Sequence, residues 1–474
     1  MKKLLISTAA VGMLFAQPTL EQLQKQIQLL QEQLQELKAA QQKTSNSSLK
    51  KEIDELKASQ EETASNLQKV KQAHYDDHIN WHFDLRSTLD QLNYKTKSGK
   101  SYANSVLTNR VQLFGMANAT DNLKANVALQ ATNVFGMNGN SGTSLTYQNS
   151  NWTGAESPDD TTVRVKEAYF MYFFDDGKYM FSAGRRPTID PYPANLIVND
   201  TALSNPIAHT VNMEFDGFSF TINNSALPEF FSDYGTNIKF CAGRGYSANQ
   251  GQYSANGAPY SRNDKLNTNF GGFLLTPYTD GQYTVEWQNF YASNVMGYTK
   301  AGDTTSMDNL GDALVSNLIF KANGIGGDDA SDFMLDTQAF ISLAYSKTMP
   351  DAGKKMLGSS SNKNGYSIWI GASMDGFGDS DTWGINYVHG SKYFRPFTYA
   401  EDTLAGSIAA VRGDAFDIYY NKQIVEHLSA QLRGTYFNYK YAGSNAFFGE
   451  NGNPDASDFV KHASDIRAYI RYQY

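Results

Sequence analysis

A single cysteine, Cys241, occurs in the 474 residues, which excludes an internal disulfide and any metal site built from several thiolates. Beyond the first sixteen residues, no apolar run reaches the length of a membrane-spanning helix. Basic clusters are scarce as well. The net charge of -8 argues against nucleic acid as a partner, because phosphate binding needs concentrated lysine and arginine. No Gly-rich phosphate loop and no nucleophile-elbow pattern stands out. The acidic pairs Asp159-Asp160, Asp328-Asp329 and Glu401-Asp402 lack calcium-loop spacing and read as solvated loop charges. Neither an enzyme nor a cofactor is expected.

Aromatic residues, by contrast, are abundant. There are 29 Tyr and 28 Phe, yet the mean hydropathy is only -0.48. Greasy strands diluted by a polar lumen and wet loops would have this profile, and so would a large soluble β-protein. The order of segments along the chain separates the two. Lys2 and Lys3 precede the apolar run Leu4 to Phe15, and Ala16 offers a small residue for cleavage, so residues 1–16 read as a secretory signal, although Leu14 is bulky for its position.

From Leu20 the period becomes helical. Leu20, Leu23, Ile27, Leu30, Leu34 and Leu37 are separated by 3, 4, 3, 4 and 3, a heptad seam in a Gln- and Glu-rich surround. The polar stretch Thr44 to Ser48 interrupts it, and it resumes at Leu49, Ile53 and Leu56. Leu37 to Leu49 is a step of 12, which breaks the register. Residues 17–75 are therefore either an intermolecular coiled coil, expected as a homotrimer, or a helical hairpin. A continuous helix here would reach on the order of 80 Å. His74, His78 and His82 are spaced by four, as metal ligands on one helix could be, but His82 already belongs to a strand pattern. The three read as capping the junction between coil and strands.

Residues 76–474 read as an all-β transmembrane barrel, antiparallel, of about sixteen strands. Ile79, Trp81, Phe83 and Leu85 alternate with Asn80, His82, Asp84 and Arg86, and Arg110 to Ala117 and Leu123 to Thr132 form the clearest hairpin. Further strands are predicted near 162–174, 179–185, 210–222, 236–245, 267–276, 283–293, 312–322, 332–346, 365–374, 381–391, 411–421, 428–441 and 461–474. Short connections such as Asp175 to Lys178, Thr279 to Gly281, Asp375 to Asp379 and Lys422 to His427 alternate with long ones. The long class is Ser87–Asn109, Asn133–Asp160, Arg186–His209, Tyr246–Leu266, Asn294–Gly311, Lys347–Asn364, Lys392–Ala410 and Ala442–Val460. A barrel with short inner turns and long outer loops produces this alternation, and a soluble sandwich has no reason to. The segments 223–234 and 323–331 fit the short class least well. In the last nine residues, Ile466, Ala468, Ile470, Tyr472 and Tyr474 alternate with Arg467, Tyr469, Arg471 and Gln473. A chain ending on an aromatic inside a strand resembles the closing strand of bacterial outer-membrane barrels.

Arg164-Val165-Lys166-Glu167-Ala168-Tyr169, an Asp-Gly turn, and Ala183-Gly184-Arg185-Arg186-Pro187 resemble general bacterial porins, in which a strand ending in Gly-Arg leads into an inward loop. With the signal, coil and terminal strand, the chain resembles the porin family of epsilonproteobacterial outer membranes. The resemblance implies that residues 187–209 are the constriction segment. Arg164, Lys166, Arg185 and Arg186 facing Asp190, Asp200 and Glu214 would set up a transverse field that sorts solutes by charge. The same charges could instead pair structurally with each other. Arg185 and Arg186 cannot both face the lumen from a regular strand, and Glu167 has the opposite parity to Arg164 and Lys166. Arg467 and Arg471 share the polar face of the closing strand and should look inward. The expected function is an outer-membrane porin for passive diffusion of small hydrophilic solutes or ions, with the N-terminal segment in the periplasm. The alternative is a structural or adhesive envelope protein that uses the barrel as an anchor and the coil as a tether.

Overall fold

The computed structural model describes residues 79–135, 163–187, 207–247, 266–302, 306–327, 329–378, 380–398 and 404–474. The signal and coil expectations, and with them His74, His78, Asp190 and Asp200, lie outside these residues. Within them the strands are β1 (Asn80–Thr96), β2 (Ser101–Thr120), β3 (Leu123–Val134), β4 (Arg164–Phe174), β5 (Tyr179–Pro187), β6 (Val211–Asn212), β7 (Glu214–Ile222), β8 (Asn237–Ser247) and β9 (Asn267–Thr279). The second half supplies β10 (Tyr283–Tyr298), β11 (Met307–Asn323), β12 (Gln338–Pro350), β13 (Lys363–Asp375), β14 (Thr382–Gly390), β15 (Phe397–Thr398), β16 (Gly413–Val425), β17 (Leu428–Tyr439) and β18 (Val460–Gln473). β6 and β15 form a separate parallel pair, and the other sixteen close into a barrel in chain order. Each of the sixteen coincides with one strand expected from the sequence.

Closure joins the two ends of the sheet. β1 and β18 run antiparallel from Asp84 opposite Gln473 to Thr96 opposite Val460, and Phe83 and Tyr474 exchange backbone hydrogen bonds of 2.8 and 2.9 Å. A closed ring leaves no strand edge with unpaired N–H and C=O groups, which is what a backbone crossing hydrocarbon requires. The side-chain period of two does the rest. In β1, Asp84, Arg86, Thr88 and Asp90 are buried while Leu85 and Leu89 are exposed; in β18, Asp465, Arg467, Tyr469 and Arg471 are buried while Ile466 and Ile470 are 58% and 56% exposed. The polar set faces in and the apolar set faces out, the inverse of a water-soluble barrel.

Two connections differ from expectation. Ser87 to Asn109 and Asn294 to Gly311 are not long loops: β1 and β2 continue to a four-residue turn at 97–100, and β10 and β11 extend to Tyr298 and from Met307. The β1–β2 arms carry polar residues on both faces, and in β10 a left-handed Asn294 (φ 56) and the register shifts between Ala292 and Met296 break the alternation, so the pattern used to find strands ends before the strands do. Conversely, residues 332–336 are not the start of β12. Asp332–Asp336 forms one helical turn, α2, and Glu229–Ser232 forms another, α1, within the connection from β7 to β8. Residues 211–212 likewise leave the expected 210–222 strand to pair with β15.

Both α1 and α2 sit at the rim that carries the short turns, as do the start of β1 and the end of β18. At the opposite rim the described parts of the connections fold into the barrel. Val211, Met213, Phe397, Phe447 and Phe448 pack on the inward residues Phe270, Phe290, Ala292 and Val315 of β9 to β11. Ile408, Ala409 and Val411 pack with Trp369, Val388 and Phe437 of β13, β14 and β17. Arg395 and Arg412, both almost fully buried, lace these segments together. Arg412 donates from Nε to the Phe394 carbonyl (2.9 Å) and from Nη1 to the Ala442 and Gly452 carbonyls (3.0 and 2.7 Å). Arg395 donates from Nη1 to the Ser444 carbonyl at 2.6 Å.

Candidate functional site: the barrel interior

The connection from β5 to β7 leaves one wall and reaches another. Its described part places His209 against β12 and β13, five and six strands from β7 around the ring. The His209 imidazole is completely buried, with Nδ1 2.9 Å from the Ser342 hydroxyl and Nε2 2.8 Å from the Ser367 hydroxyl. Its ring meets Trp369 and Phe394 edge-on at 5.6 and 5.7 Å. The Thr210 hydroxyl donates to Asn317 Oδ1 (2.7 Å) and accepts from Gln288 Nε2 (3.0 Å). The chain then pairs with β15, the Phe397 N–H donating to the Thr210 carbonyl at 2.8 Å. A segment tied to the far wall by hydroxyls and amides crosses the lumen, and the end of the expected constriction segment lies here.

The two walls differ in chemistry. On strands β9 to β14 the fully buried inward polar residues are uncharged, among them Thr268, Gln288, Asn317, Ser342, Ser367 and Asn386, with one partly buried ion pair, Glu286 with Lys321. From β16 through β18 and β1 to β2, uncharged residues such as Gln112, Gln431 and Thr435 are joined by several buried charges. Arg471 donates from Nε to Asp84 at 2.9 Å and pairs with it again through Nη2, while Arg110 approaches the same carboxylate at 3.5 Å. Arg467 Nε donates to Asp90 at 2.6 Å. Arg433 pairs with Asp417, which also accepts from Thr435 (2.8 Å) and Asn386 (3.1 Å). Arg86 and Asp465 are buried on the same wall. Register explains the pairing: across the β1–β18 seam Asp90 stands directly opposite Arg467, and Asp84, opposite Gln473, lies diagonal to Arg471. Cross-strand neighbours lie about 5 Å apart, within easy reach of an arginine.

The sites expected from the Gly-Arg motif divide between the two faces. Lys166 is buried and ion-paired with the buried Glu214. Arg186 is buried, donates to Ser219 at 2.6 Å and lies 5.5 Å over the Tyr169 ring. Arg164 stands beside the inward Gln130. Arg185, expected among the constriction cations, lies on the outer face. It forms a bidentate pair with the exposed Asp216 at 2.9 and 3.1 Å and stands next to the exposed Ala168. Strand parity decides between the two arginines, since even positions of β5 (Ser182, Gly184, Arg186) face in.

Glu167, left out on parity, is buried on the inward side. A bulge explains this: Ala128 stands opposite Glu167 and Leu129 opposite Val165, so Lys166 is the extra residue and both charges turn inward. Nothing in the local sequence marks that bulge. Of the acids expected to face these cations, Asp190 and Asp200 lie outside the described residues, and Glu214 on β7 pairs with Lys166 on β4, reaching past β5. A charge excluded from bulk water takes a counterion within reach on its own wall.

The sequence reading missed Asp84, Arg86, Asp90, Arg110, Asp417, Arg433 and Asp465 as a group. The parity that picked out Arg467 and Arg471 would have found Asp84 and Asp90 once β18 was closed onto β1. His209 carried no signal at all. Of the histidine triplet only His82 is described; it is exposed, with Phe114 6.0 Å from its ring. Among the described residues no group of three or more His, Cys, Asp or Glu is placed to hold a metal ion.

No curated protein matches the chain. Among solved structures, it is similar to Pseudomonas putida OprB (10% identity, TM-score 0.47, covering 86% of this chain and 96% of that one). It is also similar to the anion-selective porin from Comamonas acidovorans (13%, TM-score 0.45, 84% and 99%) and to OmpT, an outer membrane protein of Vibrio cholerae (12%, TM-score 0.45, 84% and 97%). The fold rests on the strand pairing itself, not on these likenesses. Residues 100–474, from the β1–β2 turn to the end of the chain, match the family model described as Protein of unknown function (DUF3373), and the chain belongs to that family.

Proposed function

We propose that the protein is an outer-membrane porin that lets small hydrophilic solutes or ions cross passively, related to the porins of epsilonproteobacterial outer membranes. One observation carries the reading: a closed ring of sixteen strands with a polar, charged interior and an apolar exterior. Such a ring has no stable place in water, because its exposed apolar face needs a hydrocarbon solvent, and a polar interior in that setting serves water and solutes. Residues 1–16 direct export, and residues 17–75 form a periplasmic coiled coil that joins three copies. Diffusion needs no cofactor and no covalent chemistry, and the reading assigns no enzymatic role.

A second reading is favoured by the folded-in segments at the long-loop rim, whose apolar packing and buried arginines narrow the interior. In that reading the barrel is a sealed anchor for an envelope tether. Planar-bilayer recording of the purified protein separates the two. Stable single-channel steps that persist through millivolt ramps are expected; a barrel that inserts without conducting overturns the porin reading in favour of the anchor.

A further inference from the structure

The pentapeptide Glu229-Phe230-Phe231-Ser232-Asp233 has a counterpart in Asp332-Phe333-Met334-Leu335-Asp336: acid, Phe, a second large apolar residue, any residue, Asp. Each forms a single helical turn, α1 and α2, at the same rim of the barrel. Residues four apart on a helix share a face, so the two acids of each turn lie together and the apolar residues lie on the other side. Those apolar residues are left uncovered: Phe230 is 69% and Phe333 57% exposed, and Phe231, Met334 and Leu335 are exposed as well. An uncovered cluster of this kind, repeated twice, marks an interaction surface.

The two turns flank the β9–β10 hairpin and are laced to it. The Thr279 N–H donates to the Tyr234 carbonyl at 2.8 Å, and Gln282 Nε2 donates to the Gly324 and Gly326 carbonyls at 3.3 and 2.7 Å. The rim from β7 to β12 is thus one connected brim. It is also continuous with the apolar outer face. Rings run from Phe230 to Tyr234 (5.7 Å) and on to Tyr278 (6.3 Å), which stands opposite Val285 on the outer face of the sheet. On the other side, the Gly326 N–H donates to the hydroxyl of the exposed Tyr283 at 3.2 Å. A partner protein would need a surface separate from the lipid-facing belt, whereas on the α1 side this one runs into it ring to ring.

We propose that the brim is a seat on the periplasmic leaflet: α1 and α2 lie in the membrane interface with their Phe, Met and Leu side chains at the headgroup–acyl boundary and their acids in water. The seat covers only the β7–β12 side, so it fixes the depth and the tilt of the barrel together. It rests on the reading of the barrel as a membrane protein. The wild-type full-length protein, reconstituted into phosphatidylethanolamine–phosphatidylglycerol vesicles, is photolabelled with phospholipids carrying a diazirine either near the headgroup or at the acyl terminus, and adducts are mapped by mass spectrometry. The headgroup-proximal probe is expected to label peptides containing Phe230–Tyr234 and Phe333–Leu335 several-fold more than the acyl-terminal probe does, while the acyl-terminal probe labels the belt around Phe218 and Ile466. A labelled belt with unlabelled brim peptides sinks the seat and leaves the barrel in its membrane. Equal labelling of the brim by both probes also sinks it, because the turns would then be buried in hydrocarbon. An unlabelled belt defeats the membrane reading itself, and the seat with it. Crosslinks from the brim to another copy of the chain, in place of lipid adducts, overturn the seat in favour of a contact between barrels.

Discussion

At the scale of single residues, the interior is governed by which neighbour a buried charge can reach. Asp84 and Arg471 are both fully buried and pair with each other, with Arg110 as a third member. Removing the carboxylate leaves two cations facing one another without their counterion. Asp84→Ala should cost about 3 kcal/mol or more, whereas Asp84→Asn combined with Arg471→Gln should recover much of it. Heat-modifiable gel migration after graded urea exposure reads both. Gly184 is set by geometry rather than charge. Its φ is +127, and a Cβ there would come within 2.2 Å of the Ala168 carbonyl oxygen, so Gly184→Ala should destabilise the β4–β5 pair by more than about 1 kcal/mol, seen in the same assay. The motif's glycine thus serves strand packing, and its two arginines serve different solvents. Arg186→Gln should alter the anion-to-cation permeability ratio, while Arg185→Gln, on the outer face, should leave it unchanged; reversal potentials in a salt gradient distinguish them.

At the scale of elements, the connections hold the site in place. Asp458, in the loop between β17 and β18, accepts from the Ser98 hydroxyl at 2.8 Å and the Ser98 N–H at 3.0 Å in the β1–β2 turn, tying two connections across the closure seam. Those two bonds hold its carboxyl below the ordinary value of 3.8. A depressed carboxylate contributes stability that is fully present above the ordinary pKa and is lost as pH falls through the folded one. Acidification from pH 5 toward pH 3 should therefore lower the amide protection factors of residues 97–100, taken relative to the intrinsic exchange rate at each pH, and in Asp458→Asn that fall should be absent. The crossing segment depends on two hydroxyls that bracket His209. Ser342→Ala with Ser367→Ala leaves both ring nitrogens without those partners, which should free the segment from the β12–β13 wall and increase single-channel conductance. Unchanged conductance would mean that the segment does not narrow the path.

At the scale of the whole molecule, one closed ring accounts for composition and architecture together. An aromatic-rich chain with a negative mean hydropathy is what results when each strand gives one face to hydrocarbon and the other to a polar interior. Sixteen strands put both described ends, Ile79 and Tyr474, on the short-turn rim. Deleting residues 17–75 should convert a trimer band to a monomer band on unheated gels while leaving the barrel's heat-modifiability intact. A trimer that survives the deletion would show that the barrels, not the coil, hold the copies together.

The sequence by itself determined the strands, their order, and which face of most of them is polar, because a period of two is local information carried by each segment alone. Alternation put Arg467 and Arg471 on the inner face, and it named Arg185 and Arg186 as a pair of which only one can face in. Only the tertiary structure decided which partner each charge takes, that the bulge at Lys166 turns Glu167 inward while Arg185 stays outside, and that His209 reaches a wall five strands away. Those outcomes depend on distances between segments far apart in the chain, and such distances exist only once the ring has closed.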